Sequence, residues 1–501
     1  MLVTMVMYNM YPRLVLLILL NLLVFLLCAE SSFLNNEVNE HDLKNKKCNL
    51  SPQIKEEILN YKHVVNKIFK TINEDFKGKT WSALSTFTDK FGNRISGTEN
   101  LENAIDYMLN LSQKSGLENV HGEEVMVPHW VRGKENATLI KPRVQNIAML
   151  GLGSSIGTPQ QGITANVIVV KSFEELKNKS SLVKDKIVVY NEEYVSYGET
   201  VKYRSIGAVE AAKFGAVASL IRSITPFSIN SPHTGMQSYD SNVPKIPAAA
   251  ITIEDAEMMQ RMQDRGEEII ISLFMEAKTL PDTKSRNTVA DIRGSSNPEK
   301  VVIVSGHIDS WDVGQGAMDD GGGALISWFT PVLLKYLNLR PKRTVRAILW
   351  TAEEEGYIGA AQYYKDHINE TKNFMAMMES DEGTFNPQGL EFSGTNKGGC
   401  IVQEILKLME PINATKFKES PVVGSDISLW ANKVPTLSLL NDNSKYFWFH
   451  HSNGDTMTVE NADDLDKCLG LFAATSYIIA DMSIDFPGLP NNSNHNNFSF
   501  I

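Results

Sequence analysis

The sequence predicts an α/β protein of at least two globular units, with helices flanking its sheets. Short runs rich in Val and Ile alternate with helical patterns along most of the 501 residues, which is typical of sheets covered by helices. The length is about three times that of a common domain, for which roughly 150 residues is usual. Hydrophobic residues make up 43% of the chain and charged residues 21%, a balance that excludes a disordered chain, a collagen-like repeat and a polytopic membrane protein.

The charge balance disfavours strongly acidic partners. The chain has 48 Lys and Arg residues against 59 Asp and Glu residues, a formal net charge of -11 at pH 7. Nucleic acids are bound by dense basic surfaces that neutralise phosphates, and the sequence contains no comparable basic block. We therefore expect no nucleic-acid partner.

The first thirty residues predict a secretory signal peptide rather than part of the fold. Arg13 precedes residues 14–29, which are apolar apart from Asn21. This run has about the length of a signal-peptide core and is shorter than the roughly 20 residues that a membrane span needs. Ala29 and Ser31 offer small residues for cleavage, and an uncleaved signal anchor is the alternative. We therefore expect a secreted, extracellular or lysosomal location, with no membrane span after signal removal.

The segments next to the predicted globular part are polar. Residues 31–50 leave a pro-segment and a loose amino terminus both open, and the Asn-rich residues 486–501 predict a disordered tail. Asn-x-Ser/Thr sequons fit passage through the secretory pathway. They begin at Asn49, Asn110, Asn136, Asn178, Asn369, Asn413, Asn491 and Asn497.

Cysteine usage leaves the compartment undecided. Four cysteines in this length are far from a disulfide framework. Because Cys28 lies in the predicted signal peptide, Cys48, Cys400 and Cys468 remain. One bonded pair with a spare thiol, an intermolecular bridge and no disulfide at all are the open alternatives. The sequence has no CxxC motif, which argues against thiol redox chemistry and cysteine-based zinc ribbons.

Two amphipathic helices are predicted near the start of the globular part. A Ser-Pro pair at Ser51 opens a helical pattern that continues to Phe76. A second helix is predicted from about Leu101 to Gln113, and it leads to a short strand over residues 123–127.

Residues 156–280 predict a separate α/β unit. Strands with the sequences ANVIVV, DKIVVY, AVASLI and EIIISL alternate with helical patterns near Ala208 and Ile253. The strings GAVEAAKFGAVASLI, SPHTG and VPKIPAAAITIEDAE resemble the protease-associated (PA) domain, which is inserted in several secreted and lysosomal peptidases. The resemblance implies a lid or a partner-binding unit without chemistry of its own.

Acidic residues follow three apolar runs in the second half of the chain. The run VVIVSGHID is suited to a strand buried on both faces, and the runs TVRAILW and NFMAMM are similar. Because ligands collect at the carboxyl ends of strands in open α/β sheets, we expect the residues that follow these runs to meet at one sheet edge. A Gly-rich loop and the segment KYFWFHHSNGDT add further candidates. The strand ends, the loop and this segment carry His307, Asp309, Asp312, Asp319, Asp320, Glu353, Glu354, Glu355, Glu379, Asp381, Glu382, His450, His451 and Asp455.

This combination of residue types predicts a metal site. Many converging carboxylates without Lys or Arg at these positions repel one another unless a positive charge compensates. Histidine and carboxylate ligands without cysteine suit Zn²⁺ or a similar ion, whereas Ca²⁺ and Mg²⁺ do not call for imidazole. A bridging carboxylate places two such ions about 3.5 to 4 Å apart.

The strings GHIDSWDVGQGAMDDGGG, WTAEEEG, MESDEGTF and HHSNGDTMT resemble those of the M28 metallopeptidases. The resemblance covers the chain from about Ser51 to Asp485. It implies a phosphorylase/hydrolase-like domain, with a mixed central sheet flanked by helices and an inserted PA domain. It also implies a zinc exopeptidase, a carboxypeptidase or dipeptidase, that cleaves dipeptides or short peptides with free termini and forms a homodimer. The implied organisation is a signal peptide over 1–30, a possible pro-segment over 31–50, peptidase-domain parts over 51–155 and 281–485, the insertion over 156–280, and the tail over 486–501.

The same resemblance implies roles for single residues. Two zinc ions per chain are expected, one held by His307 and Asp381 and the other by Glu354 and His451. Asp319 would bridge the ions, Glu353 would be the general base, and Asp309 would fix the tautomer of His307 through a hydrogen bond. Adjacent side chains at a strand end point in opposite directions, which lets one of Glu353 and Glu354 bind metal while the other faces water.

The remaining acids have simpler interpretations. We expect Asp312, Asp320, Glu355 and Glu382 to be solvated or capping residues and His450 to be structural. For Asp455 and the triplet from Gly424 to Asp426, lining of the pocket and a purely structural role are both open.

Two other protein classes share this scaffold. Transferrin-receptor-type proteins bind partners and have lost catalysis, and their mark is a broken ligand set. Glutaminyl cyclases use one zinc ion for acyl transfer. The complete ligand set in this sequence favours the peptidase.

Overall fold

The computed structural model describes residues 48–489. The predicted signal peptide, most of the possible pro-segment and residues 490–501 of the predicted tail lie outside these residues. The described residues from Ser51 onward belong to one compact unit. Within residues 48–489, no helix is both long and apolar enough to cross a membrane.

An eight-stranded mixed sheet, the first sheet, carries the acidic strand ends. Its strand order is β1-β10-β12-β11-β13-β16-β14-β15. The strands β12, β11, β13 and β16 run parallel at its centre, whereas β1 and β10 are antiparallel at one side. Its strands are β1 Glu118–Val131, β10 Lys278–Ile292, β11 Asn297–His307, β12 Arg343–Trp350, β13 Phe374–Glu379, β14 Pro387–Ser393, β15 Lys416–Glu419 and β16 Thr436–Asn441.

The chain leaves the first sheet after β1, builds a second sheet, and returns at β10. The second sheet also has eight strands, in the order β3-β2-β9-β5-β6-β7-β8-β4. We call residues 135–275, from the first to the last of these strands, the second-sheet region. Its strands are β2 Glu135–Lys141, β3 Gln145–Ile147, β4 Met149–Gly151, β5 Ile163–Val170, β6 Ile187–Tyr190, β7 Ala218–Arg222, β8 Ala248–Ile251 and β9 Ile270–Met275.

Helices cover both sheets, as the α/β pattern predicts. They are α1 Pro52–Asn60, α2 Lys62–Asn73, α3 Lys79–Phe91, α4 Glu99–Lys114, α5 Phe173–Asn178, α6 Tyr197–Thr200, α7 Lys202–Ala212, α8 Ile253–Asp264, α9 Gly322–Tyr336, α10 Ile358–Asp366, α11 Asn396–Leu406, α12 Tyr446–Phe449 and α13 Ala462–Asp481.

The central strands of both sheets are buried on both faces. In the first sheet, Ile303 and Ile348 pack with Trp350 and Trp430 in one apolar cluster that also takes Tyr363 of α10. The other face of the same strands is covered by α9 and α13, which are almost wholly buried. Strands covered on both faces need apolar side chains on both sides, and this accounts for the uninterrupted apolar runs in the sequence.

The second-sheet region is built in the same way. Val169 and Val189 face a cluster with Met259 of α8, whereas Val170 and Val188 face a cluster with Tyr203 and Ala208 of α7. Carboxylates also follow these strands, for example Glu192 and Glu193 after β6. Within residues 48–489, however, none of them belongs to a group of residues close enough to hold a metal ion.

The predicted single helix from Ser51 to Phe76 is wrong. Ser51 caps the start as predicted, because its Oγ accepts a hydrogen bond from the Ile54 N–H at 3.3 Å. The helix ends at Asn60, and a second helix begins at Lys62. The intervening Tyr61 donates its hydroxyl to Asp481 at 2.9 Å, a contact 420 positions away that no local pattern announces.

The bonding state of the cysteines excludes one of the three disulfide arrangements that the sequence leaves open. Cys48 and Cys400 are disulfide-bonded, whereas Cys468 is a buried free thiol. The alternative without any disulfide is therefore wrong.

Candidate metal centre

The parallel strands β11, β12 and β13 end at the same edge of the first sheet. Their order places β11 between the other two, and His307 pairs in register with Trp350. Ser305, two residues earlier, pairs with Glu379. The acidic segments that follow the three strands therefore start from neighbouring positions, as the sequence predicts.

Asp319 lies between two histidines that come from distant parts of the chain. Its Oδ1 is 3.2 Å from His307 Nε2, and its Oδ2 is 3.4 Å from His451 Nε2. A carboxylate that presents one oxygen to each of two imidazole groups has the geometry of a bridging ligand.

Each histidine also meets a second carboxylate. The Oδ1 atom of Asp381 is 3.0 Å from His307 Nε2, and the Oε2 atom of Glu354 is 3.0 Å from His451 Nε2. The two sides of Asp319 therefore contain the residue pairs that the family resemblance implies. We call them the His307 half and the His451 half.

His450 is closer to the centre than a merely structural role requires. Its Nε2 is 3.6 Å from Asp319 Oδ2, and its ring stacks on His451 at a centroid distance of 3.5 Å. The atoms of Asp319, His450 and His451 are also close enough to hold one ion. His451 is the better ligand, because it alone of the two histidines also contacts Glu354.

The loop that carries Asp319 is held by Asp455. The Asp455 carboxylate accepts hydrogen bonds from the backbone N–H groups of Ala317 at 3.0 Å, Met318 at 2.8 Å and Asp319 at 3.2 Å. Burial, with the charge of Asp319, raises the pKa of Asp455 to about 7 although these hydrogen bonds oppose the shift. Asp455 therefore holds the loop that carries Asp319, which favours the structural interpretation of Asp455 over lining of the pocket.

Asp320 is buried and not solvated. Its Oδ2 accepts from the His307 N–H at 3.0 Å, and its Oδ1 accepts from the Gly323 N–H at 3.1 Å. It thus satisfies a free N–H at the start of α9 and joins this helix to the end of β11. The capping interpretation of Asp320 is correct, and the solvated one is wrong.

Asp309 arranges the turn that follows β12. Its two carboxylate oxygens accept from the N–H groups of Glu353 at 3.1 Å and Glu354 at 3.2 Å. His307 Nδ1 lies 3.1 Å from the Asp309 carbonyl oxygen and 3.6 Å from its carboxylate. A carbonyl oxygen only accepts, so Nδ1 carries the proton and Nε2 is free to face the carboxylates.

Glu353 is separated from Glu354 by this turn and not by strand alternation. The strand β12 ends at Trp350, and Ala352 has a left-handed φ of 54°, so the expected geometric argument does not apply. Glu353 nevertheless faces the other half of the centre, because its Oε2 is 3.9 Å from His307 Nε2. Burial and the charge of Asp381 raise the pKa of Glu353 well above its usual range.

The triplet from Gly424 to Asp426 reaches the centre through Ser425. The Ser425 Oγ donates to Glu353 Oε1 at 2.5 Å, and its N–H donates to Glu379 Oε2 at 2.7 Å. Burial, followed by the charge of Asp381, raises the pKa of Glu379 to about 8. The sequence leaves open whether this triplet lines the pocket or is purely structural. In the structure, the side chain of Ser425 contacts Glu353.

The three remaining acids, Glu382, Asp312 and Glu355, differ in their exposure and in their contacts. Glu382 is exposed and accepts from Asn443 Nδ2 at 2.6 Å. Asp312 is not simply solvated, because its two oxygens accept from Arg132 at 2.7 and 2.5 Å. Burial raises the pKa of Glu355 well above its usual range.

The residues of the centre fit a divalent metal. Asp319 Oδ2, Glu379 Oε1 and both oxygens of Asp426 are buried without a hydrogen-bond partner. Among the ion pairs of residues 48–489, the carboxylates of Asp319, Glu354 and Asp381 are paired only with histidines. Buried carboxylates are costly without compensating charge, and imidazole with carboxylate oxygens is a ligand set that Zn²⁺ accepts.

Sequence reasoning missed Arg94, which supports the loop around the centre. Its guanidinium is completely buried and donates to the carbonyl oxygens of Ile308 and Gln315 at 2.7 Å each and of Gly316 at 2.8 Å. Because its donors are engaged by carbonyl oxygens, it holds the loop, and its charge also lies near the carboxylates of Asp455, Asp309 and Glu354. A single arginine in a loop more than 200 residues away has no motif that would reveal this role.

Comparisons with known proteins identify the family. The model of Peptidase family M28 matches residues 287–476, a range that contains every predicted catalytic and metal-binding residue. Carboxypeptidase Q from Xenopus laevis is 54% identical over 436 residues, which are 87% of this chain and 93% of the relative. The chain belongs to peptidase family M28. Carboxypeptidase Q from Homo sapiens is 51% identical over 463 residues, 92% of this chain and 96% of the relative.

Solved structures agree with this M28 assignment. A peptidase M28 precursor from Shewanella amazonensis has a TM-score of 0.82 at 31% identity and covers 87% of this chain and 100% of its own. The zinc aminopeptidase BSAP from Bacillus subtilis has a TM-score of 0.62 at 19% identity, over 84% of this chain and 99% of its own, a likeness of fold alone. This M28 chain is therefore a peptidase with a mixed α/β fold, and its His, Asp and Glu cluster has the composition of a metal site.

Proposed function

We propose that this M28 peptidase is a dinuclear zinc exopeptidase that hydrolyses dipeptides or short peptides with free termini, as a carboxypeptidase or dipeptidase. His307 and Asp381 would hold one ion, Glu354 and His451 the other, and Asp319 both. The similarity to carboxypeptidase Q over most of both chains supports the choice of exopeptidase.

One observation carries the proposal of two ions. The two oxygens of Asp319 face different histidines, at 3.2 and 3.4 Å, and each histidine has a second carboxylate at 3.0 Å. A single ion would need one convergent set of ligands. Two similar sets that share one carboxylate match the two-metal arrangement of aminopeptidases.

Glu353 is suited to be the general base. When bound, two zinc ions would lower the pKa of water and polarise the carbonyl of the scissile bond. Ser425 occupies Glu353 Oε1, which leaves Oε2, on the side of His307, as the oxygen that accepts the proton from the attacking water. Glu353 then passes that proton to the amine nitrogen of the leaving group. Its side chain is 13% exposed, so it can be reached from solvent.

The alternatives receive less support. A catalytically silent binding protein needs no complete ligand set, and here both halves are complete. A glutaminyl-cyclase-like acyltransferase with one zinc ion would need only one of the two pairs of histidine and carboxylate. The metal content of the purified protein distinguishes these cases.

The remaining proposals concern the protein around the centre. We propose that residues 156–280, which include most of the second-sheet region, are an inserted PA-like domain. We also propose that the protein enters the secretory pathway and is secreted or lysosomal, and that it forms a homodimer. Glycosylation is proposed at sequons whose asparagines are exposed in the structure, namely Asn49, Asn110, Asn136, Asn178, Asn369 and Asn413.

The deciding experiment is hydrolysis of a dipeptide panel by the purified secreted protein. Activity is measured before chelation, after chelation and after zinc is added back, with zinc content determined in parallel. We expect cleavage that disappears with the chelator and returns with zinc, at about two ions per chain. Folded, zinc-loaded protein that cleaves no dipeptide contradicts the proposal and favours the binding protein.

A further inference from the structure

The structure assigns a positioning role to the segment 233–236 of the second-sheet region: it orients His451 and thereby the His451 half of the metal centre. The inference rests on the proposed two-ion site. The inference goes further than that proposed site, because it gives the second-sheet region a part in metal binding.

The first step is the orientation of the His451 ring. His451 Nδ1 is 3.3 Å from the carbonyl oxygen of Thr234, which only accepts. The Nδ1 atom therefore carries the proton, and Nε2 is free to face Glu354 and Asp319. Fixing the tautomer of a ligand histidine through its second nitrogen is a common way to tune a metal site.

The same segment holds the backbone at the two histidines. The Thr234 N–H donates to the His451 carbonyl at 2.8 Å, and His233 Nδ1 donates to the His450 carbonyl at 2.6 Å. His451 has a left-handed φ of 58°, a conformation that costs a residue other than glycine about 1 kcal/mol or more. Such a backbone persists where its surroundings determine it, and here two backbone contacts come from residues 233 and 234.

Arg204 of α7 fixes the segment from its other side. It is 6% exposed and donates through Nε to the Met236 carbonyl at 3.2 Å and through Nη1 to the Thr234 carbonyl at 3.5 Å. Its Nη2 donates to the Tyr197 hydroxyl at 2.7 Å. None of the ion pairs of residues 48–489 involves Arg204, so its buried donors are used to hold carbonyl oxygens.

Glycine at position 235 makes this contact possible. Gly235 has a φ of 138°, and a Cβ atom there would lie 2.7 Å from Arg204 Nε, closer than side chains tolerate. The segment and Arg204 therefore fit together only without a side chain at this position.

A second connection links the segment 233–236, through Arg132, to the loop that carries Asp312. The Thr234 hydroxyl donates to the Gly151 carbonyl at 2.7 Å and accepts from Arg132 Nη2 at 3.4 Å. Arg132 in turn binds both oxygens of Asp312, in the loop that leads to the bridging Asp319. The segment is thus linked to the metal centre at two points.

The test measures zinc affinity rather than activity. Zinc is withdrawn from the full chain by a competing chelator, and the two binding steps are resolved; His451→Ala identifies the step that belongs to the His451 half. We expect Arg204→Gln to weaken that step by about tenfold, the lower end for loss of a residue that supports a ligand. The other step should stay within about twofold of the wild type.

Tyr190→Phe is the matched control. The Tyr190 hydroxyl donates to the Gly207 carbonyl at 2.8 Å, so this variant also loses a buried hydrogen bond to α7, but one that does not touch the segment. We expect both zinc steps to be unchanged. If Arg204→Gln does not fold, Thr234→Val is measured instead, because it removes only the hydroxyl contacts, and the same selective weakening is expected.

The outcomes separate this inference from the proposed function. A single zinc step in the wild type contradicts the two-ion site itself. Two wild-type steps that the variants leave unchanged, or weaken equally, contradict only the positioning role. Equal effects of Arg204→Gln and Tyr190→Phe would also overturn it, because the loss would then reflect general stability. In a His451→Ala background, adding Arg204→Gln should leave the remaining step unchanged.

Discussion

The two histidines of the metal centre have the same hydrogen-bond arrangement, but they obtain it from different distances along the chain. His307 Nδ1 meets the carbonyl oxygen of Asp309, two residues further on. His451 Nδ1 meets the carbonyl oxygen of Thr234, 217 positions away. In both residues Nε2 is left to face carboxylates at 3.0 Å.

The ring of His307 is therefore oriented within its own chain segment, whereas the ring of His451 is oriented by a residue from a distant part of the fold. The ring of His307 is oriented by Asp309 of the same strand end, although Arg94 holds the neighbouring Ile308 carbonyl from 214 positions away. His451 is set only when the second-sheet region is folded and in place. Variants can therefore be divided by whether they act on both halves, on neither, or on one, and the expected effects below are ordered by size.

The largest effect is expected at Asp319, which belongs to both halves. Asp319→Asn removes the charge that the two histidines and their ions share, so we expect loss of both zinc ions. The fall in kcat/KM should be at least about 10³-fold, since metal ions contribute several kcal/mol to catalysis. Zinc content after dialysis and dipeptide hydrolysis measure the two effects.

Glu382→Gln is the control for Asp319→Asn. Glu382 follows the same group of strands but is exposed, so the variant should keep both ions and its activity. An Asp319→Asn protein that retains two ions would show that Asp319 is not shared between the halves.

Glu353→Gln should separate catalysis from metal binding. Both halves keep their ligands, so zinc content should remain at the wild-type value. Turnover should fall by about 10² to 10⁴-fold, the usual contribution of a general base. The measurement is kcat on the best dipeptide together with zinc content of the same sample. A near-normal kcat would remove Glu353 from the proposed mechanism.

Asp455→Asn should weaken both halves equally. Its carboxylate accepts three N–H groups around Asp319, and the amide that replaces it cannot accept them all equally well. We expect both zinc steps to weaken by about tenfold in the chelator titration. A loss confined to one step would contradict the shared position of this loop.

The smallest effect is expected in a histidine and carboxylate cluster outside the metal centre. Glu123 lies 3.1 Å from His121 and 3.0 Å from His367. Although burial opposes it, the two histidines lower the pKa of Glu123 to about 2, and their own pKa values are raised, mainly by hydrogen bonds to Glu123. Here the charges compensate one another, whereas the carboxylates of the metal centre need an ion.

The sign of the pH dependence follows from these shifts. The contribution of Glu123 is present above its unfolded pKa of about 4.3 and is lost as the pH falls through about 2. The contribution of the two histidines to stability is present below their unfolded pKa of about 6.5. It is lost as the pH rises through their raised pKa values in the folded protein. Glu123→Gln should therefore lower the unfolding free energy most between about pH 4.5 and 6.5, by about 1 kcal/mol.

Thermal unfolding of wild type and Glu123→Gln at pH 5.5 and pH 9 checks this prediction. The difference in Tm should be clear at the lower pH and small at the higher one. Glu124→Gln is the control, because Glu124 is a neighbouring exposed residue paired with Lys284. An equal loss at both pH values would show that the histidines do not carry charge in this cluster.

The sequence alone was sufficient to predict that acidic segments meet at one edge of the first sheet. The apolar runs that end near His307 and Glu353 are continuous and short, as expected for strands buried on both faces, and parallel strands bring their ends together. The acidic loop around Asp319 and the family resemblance supplied the rest of the ligand set. Local pattern was sufficient for His307, Glu353 and Asp381, because each of them lies at a strand end or within three residues of one.

The contacts that hold this set of residues in place are visible only in the folded protein. Arg94, Thr234 and Arg204 act through backbone carbonyl oxygens that are distant in sequence, and a carbonyl oxygen has no residue type by which a pattern could reveal it. The break at Tyr61 is also invisible to helical periodicity, because Tyr61 keeps helical backbone angles there while its hydroxyl contacts the distant Asp481. Residue types disclose which groups can bind a metal, whereas their orientation depends on long-range packing that a single sequence does not encode in any local pattern.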